Sequence, residues 1–162
     1  PEYPVTLVYP IAYEKHLFWI NQETGEVSKG RRSPKKGSHY DIFKELYKIK
    51  EFLRHKNLKI IIMMVKIDEY RYLNGWSRDK KKGSYCCDRI PTGIVEEIQI
   101  NGVKDYKKMV PEELDAEFTS KDFALSGHIR RNVAQVVLNI LYEVKAIERV
   151  GKEGNSYIYS RK

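Results

Sequence analysis

The chain has 162 residues, and the spacing of its apolar positions changes several times along it, each change predicting a different element. Val5 to Ile11 is β-branched and aromatic-rich, His16 to Ile20 is a second short run, and Asn21 to Gly25 carries turn residues ahead of Glu26 and Val27. This pattern predicts a β-meander. From Asp41 the period lengthens: Ile42, Phe43, Leu46, Ile49, Phe52 and Leu53 recur at three- and four-residue steps. That spacing predicts an amphipathic helix of about four turns, opened by Ser38 or His39 and stopped at Lys56-Asn57. Leu58 to Val65 is apolar but for Lys59 and rich in isoleucine, as in a buried strand that Glu69 to Leu73 can extend. Tyr70-Arg71-Tyr72 and Ser84-Tyr85-Cys86-Cys87 flank a turn-prone stretch, so a hairpin is expected there. Ile94 to Ile100 reads as a short helix, because Glu96-Glu97 is awkward in a buried strand.

The last third is the most regular. Thr119 stands three residues before Asp122, which predicts a capped short helix running through Leu125, and Gly127 is expected to close it at positive φ. Ile129, Val133, Val136, Val137, Ile140, Leu141 and Val144 then fall on one face of a longer helix. Burying seven such side chains contributes on the order of 10 to 15 kcal/mol before opposing terms are counted, so this is a core helix. Ile147 to Val150 and Ser156 to Ser160 are β-prone and are joined by Gly151-Lys152-Glu153-Gly154-Asn155. The fold class is therefore α+β: a small mixed β-sheet with a covering helix, followed by a helix–turn–helix–hairpin unit. Pro111 and a run of acidic residues suggest a division into 1–103 and 104–162.

Phe118-Thr119-Ser120-Lys121-Asp122-Phe123-Ala124, then Gly127, Ala134 and the Gly151 to Asn155 tip together resemble the winged helix-turn-helix DNA-binding family. The resemblance covers about 45 residues. Ala124 and Ala134 match places where that family needs small side chains for two helices to cross. The chain departs at Lys145-Ala146, where the family usually carries glycine. The resemblance implies that the N-terminal turn of the long helix enters a major groove. Arg130, Arg131, Asn132 and Gln135 crowd that turn, and their side-chain types can pair with base edges. Lys121, Lys152 and Asn155 are then expected on phosphates.

Charge is consistent with a polyanionic partner. Thirty Lys and Arg oppose 22 Asp and Glu, a formal +8. From Thr119 onward eight basic residues face four acidic ones, a local +4. Lys29, Arg31, Arg32, Lys35 and Lys36 place five positive charges within eight residues, and Ser33-Pro34-Lys35-Lys36 resembles the minor-groove motif of linker-histone tails. Arg78, Lys80, Lys81 and Lys82 form another cluster, with Tyr70, Tyr72, Trp76 and Tyr85 near it as candidates for stacking on bases. The expected partner is double-stranded DNA, the alternative being a protein partner or homodimer docked on the same unit.

Other chemistries find little support. A metal-dependent nuclease would need converging carboxylates, and Asp68, Glu69, Glu45 and Asp41 are the candidates, with Mg²⁺ as cofactor in that case only. Otherwise no cofactor or metal is expected: the four histidines are scattered, and Cys86 and Cys87 are adjacent. Their adjacency rules out stapling distant segments and fits a reducing, cytoplasmic setting. The longest apolar run, Ile60 to Val65, is far too short to span a membrane.

Overall fold

The computed structural model describes residues 2–73 and 83–161. It is an α+β protein, mostly strand with a few helices. The elements in order are β1 (Val5–Ile20), β2 (Arg31–Arg32), a 3-10 turn (His39–Ile42), α1 (Phe43–Leu46), a second 3-10 stretch (Tyr47–Phe52), β3 (Leu58–Tyr72) and β4 (Tyr85–Ile100). There follow α2 (Val103–Lys107), β5 (Glu117–Phe118), α3 (Ser120–Ser126), α4 (Arg131–Glu143), β6 (Ile147–Glu153) and β7 (Ser156–Arg161). The chain divides into two compact units, Pro1–Tyr9, Ser38–Ile62 and Ile98–Lys162 forming one, Pro10–Gly37 and Met63–Glu97 the other. This division differs from the one drawn at residue 103, because Ile42, Phe43 and Leu46 bury themselves in the same unit as α4.

The four-stranded sheet has the order β2-β1-β3-β4. Its first strand corrects the meander expectation: Val5 to Ile20 is one strand, not two. The polar stretch that seemed to interrupt it is tied down by ion pairs, Glu14 to Arg32 at 2.6 Å and Lys15 to Glu69 at 3.8 Å. Pro10 lies outside the stretch that pairs with β2, which is limited to His16 and Leu17, so that ladder does not need the missing N–H. The helix expected over Ile94 to Ile100 is likewise a strand, the end of β4. Glu96 and Glu97 are unobjectionable there because β4 is an edge of the sheet and both side chains are exposed.

In the other unit, the four-turn helix expected from Asp41 is broken into 3-10, α and 3-10 pieces, with Ile49 outside helical geometry at φ −121°, ψ 20°. Tyr40, Ile42, Phe43, Leu46 and Leu53 are buried, while Phe52 is left 56% exposed beyond the break. The core they enter is supplied by Val133, Ala134, Val137, Leu138, Ile140, Leu141 and Val144, all buried. Tyr40 ties this core together: its ring packs against Phe43 and Phe123, and its hydroxyl donates to the Met109 carbonyl at 2.8 Å. Burial first, and then the charge of Glu113, push the Tyr40 hydroxyl up to about 12. Tyr40→Phe leaves that carbonyl unpaired in the interior and is expected to lower stability by about 1 to 2 kcal/mol, read by denaturant titration.

The three C-terminal strands form a second sheet, order β5-β7-β6, antiparallel throughout. Phe118 lies opposite Tyr159, and Glu153 opposite Ser156 across the hairpin tip, where Gly154 takes φ +54°.

Candidate nucleic-acid interface

Local chemistry explains how the α3–α4 pair is built. Thr119 Oγ1 accepts from the Lys121 and Asp122 N–H groups, and the Asp122 carboxylate accepts in return from the Thr119 N–H at 2.8 Å and from its hydroxyl. These bonds hold the Asp122 carboxyl below the usual carboxylate range. The turn that follows corrects the expectation for Gly127, which has φ −77°, while the positive φ falls on His128 at +50°. Glycine at 127 relieves crowding rather than supplying a backbone angle: a Cβ there would lie 3.0 Å from the Phe123 carbonyl oxygen and 3.2 Å from the Tyr40 ring.

Beyond α4, Lys145 has φ +62°. The position where the winged-helix pattern usually has glycine thus keeps glycine-like backbone geometry with a lysine in it, at a cost of roughly 1 to 2 kcal/mol.

Arg130, Arg131, Asn132 and Gln135 are all exposed, as are Lys121, Lys152 and Asn155. Arg130 occupies the N-cap of α4 at φ −70°, ψ 145°, makes no capping bond, and no acidic residue follows in the first turn. A helix N-terminus carries a partial positive charge that acidic side chains and Ser, Thr or Asp caps relieve. Here two arginines stand instead, a local arrangement that opposes helix stability. Arg131 bridges to the hairpin, its Nη2 donating to Ser156 Oγ at 3.0 Å and its Nε reaching Ser120 Oγ at 3.5 Å. Asn132 Oδ1 accepts from the Val133 N–H, and the Lys152 ammonium sits 5.8 Å from the Tyr157 ring centre.

One residue of this region is absent from the sequence-based candidates. Arg149 of β6 faces Tyr159 directly across the ladder, with Tyr157 two residues along on the same side. Its guanidinium lies 4.2 Å from the Tyr157 ring centre and 4.1 Å from that of Tyr142 on α4. Only the period-two spacing of Tyr157 and Tyr159 hinted at such a face.

The basic loop of the other unit is also exposed. Arg31 stacks over Trp19 at 5.4 Å, Lys36 over Tyr13 at 5.2 Å, and Arg32 pairs with Glu14. Lys35 is exposed, and its N–H donates to Ser33 Oγ at 3.3 Å, closing the Ser-Pro-Lys-Lys turn. Tyr70 stacks on Phe18 and Tyr72 meets Tyr85, so these aromatics already have partners. Arg78, Lys80, Lys81, Lys82 and Trp76 lie outside the described residues.

The four carboxylates considered for a nuclease each have another role. Asp41 caps the Ser38 N–H, Glu45 pairs with Lys48 at 2.7 Å, Asp68 lies 3.8 Å from His16, and Glu69 is buried among cations. Among the described residues, no three histidine, cysteine, aspartate or glutamate side chains are grouped so that they could hold a metal ion. No helix among them is long and apolar enough to cross a membrane.

Fold and site together define a basic α+β protein with a helix-pair-and-hairpin unit at its C-terminal end. The chain belongs to the family described as "Domain of unknown function (DUF8091)", which it matches over residues 1–101. It is also similar to an uncharacterized protein of Treponema pallidum (strain Nichols), 30% identical over 86 residues. That match covers 50% of this chain and 33% of the relative, so it spans about a third of that protein's length. No solved structure matches significantly.

Proposed function

We propose that this protein binds double-stranded DNA, with residues 104–162 acting as a winged helix. The observation that carries the reading is the N-terminal turn of α4: exposed, uncapped, without an acid, and occupied by Arg130 and Arg131. Sequences tend to break a local stability rule where function requires it, and a cationic helix tip is relieved by contact with a polyanion. Two further observations support it. The order α3, turn, α4, β6–β7 hairpin is that of a helix-turn-helix with a wing, and the strand order β5-β7-β6 suits one. The apolar stripe from Val133 to Val144 is turned inward, leaving Gln135 and the arginines outside.

In this reading α4 lies in the major groove. Arg130, Arg131, Asn132 and Gln135 meet base edges, while Lys121, Lys152 and Asn155 meet phosphates. The basic loop at Arg31 to Lys36 adds non-specific attraction. An intracellular setting fits a DNA partner and the two free thiols of Cys86 and Cys87.

The test is the salt dependence of duplex binding by fluorescence anisotropy. If about six phosphates are engaged, log affinity falls with log salt at a slope near −5. Absence of duplex binding, or a slope close to zero, overturns the proposal and favours protein docking.

A further inference from the structure

Between α4 and the β6–β7 hairpin lies a cavity of about 250 Å³, lined by Ser120, Gln135, Arg149, Asn155, Ser156 and Tyr157 among others. No carboxylate lines it. Its walls are hydroxyls, side-chain amides, aromatic rings and one guanidinium. That guanidinium is the unusual part. Arg149 is only partly exposed, its Nε is buried without a hydrogen-bond partner, and no carboxylate pairs with it among the described residues. The faces of Tyr142 and Tyr157 offset some of the lost hydration, but a cation–π contact supplies no acceptor for the N–H groups. A half-buried cation with donors to spare lacks an anion.

The hydroxyls around it are polarised the same way. Arg131 Nη2 donates to Ser156 Oγ, so that oxygen serves as acceptor on the arginine side and its own hydrogen is left to donate elsewhere. Ser120 Oγ stands in the same relation to Arg131 Nε, at the 3.5 Å limit of a hydrogen bond. Asn155 and Gln135 bring amide N–H groups from the hairpin tip and from the exposed side of α4. Serine hydroxyls, amide N–H groups and a guanidinium converging on one space are the donors that take phosphate oxygens.

We propose that this notch is a phosphate seat, in which Arg149, Ser120, Ser156 and Asn155 hold one phosphodiester of the duplex backbone. The inference rests on the DNA-binding reading above for the source of the phosphate. It adds a fixed point between helix and hairpin that sets the register of α4 in the groove. The same chemistry would also accept free phosphate, so the experiment separates the two sources.

Binding of a labelled 20-base-pair duplex is measured against potassium chloride concentration for the intact chain, for Arg149→Gln, and for the double variant Asn155→Ala, Ser156→Ala. The double variant changes only hairpin-tip side chains and guards against a folding defect in Arg149→Gln. Both variants are expected to weaken binding to all duplex sequences alike; Arg149→Gln, which removes a cation, also makes the salt slope shallower by about 1, whereas the double variant, which removes none, keeps the slope of the intact chain. In parallel, the amide NMR signals of Asn155, Ser156 and Tyr157 are followed with duplex and with inorganic phosphate at matched ionic strength. Duplex is expected to shift them much further than inorganic phosphate does. Duplex affinity unchanged in both variants, or a slope unchanged in Arg149→Gln, while the intact chain binds duplex, overturns the seat and leaves the DNA-binding reading standing. Equal shifts with inorganic phosphate overturn the duplex backbone as its ligand. If the intact chain binds no duplex, both the reading and the seat fall.

Discussion

Replacing Arg130 by aspartate is expected to make the protein more stable and a poorer DNA binder at once. The backbone at Arg130 already has the extended geometry of an N-cap, so aspartate fits without rearrangement and accepts a hydrogen bond from the first turn of α4. Its charge also complements the positive end of the helix, where an arginine now opposes it. The gain is about 1 kcal/mol, which for a chain of this size corresponds to a rise of roughly 2 to 4 °C in thermal midpoint. Duplex affinity should fall roughly 10- to 100-fold, because a cation able to contact a base edge or phosphate becomes an anion facing the backbone. Calorimetry and anisotropy on the same sample check the two halves. Opposite signs are the mark of a residue kept for binding at the expense of folding. A stabilised variant with undiminished duplex affinity would show that the helix tip carries its arginines for some other reason.

How far the sequence reveals this protein depends on the range of the interaction concerned. The α3–α4–hairpin unit is legible because its determinants are local: Thr119 and Asp122 cap each other within three residues, and the α4 stripe repeats within one helix. Gly127 is identifiable as a turn glycine, but the crowding around it is not, since the closeness of Tyr40, 87 residues earlier, depends on tertiary packing. The continuity of β1 is hidden because the residues that stabilise its polar middle, Arg32 and Glu69, belong to other strands. The helix expected at Glu96-Glu97 follows from assuming a buried strand, and nothing local says that β4 ends as an exposed edge. Arg149 is the instructive omission from the candidate site. Its neighbours Tyr142 and Tyr157 come from a helix and a strand, and only their meeting in space makes it more than one basic residue among 30 Lys and Arg.

Glu69 illustrates the same point in the unit formed by Pro10–Gly37 and Met63–Glu97, and removing it is expected to have the largest effect there. The side chain is 2% exposed and accepts from Arg71 at 2.7 Å and Arg89 at 2.9 Å, with the Lys15 ammonium 3.8 Å away. Arg71 is itself held by Ser84, donating to its hydroxyl and its carbonyl, so the carboxylate also helps fix the start of β4. Burial by itself pushes the Glu69 carboxyl up, but the hydrogen bonds from Arg71 and Arg89 and the charge of Lys15 outweigh it and hold the group below its ordinary value of 4.5. Glu69→Ala leaves three cations facing one another across β1, β3 and β4. Loss of one partner from a fully buried pair costs about 3 to 5 kcal/mol; Arg89 is largely exposed here and its charge is screened by water, so about 2 to 3 kcal/mol is expected.

The sign of the pH dependence follows. Because the folded-state value is depressed, the stabilisation is fully present above the unfolded value of about 4.5 and is lost as pH falls through the folded one. Thermal midpoints of the intact chain should therefore decline as pH is lowered below about 4.5, whereas Glu69→Ala should start lower and decline less steeply over the same range. Parallel acid limbs in the two proteins would mean that the cluster around Glu69 contributes no pH-dependent stability and that other carboxylates govern acid unfolding.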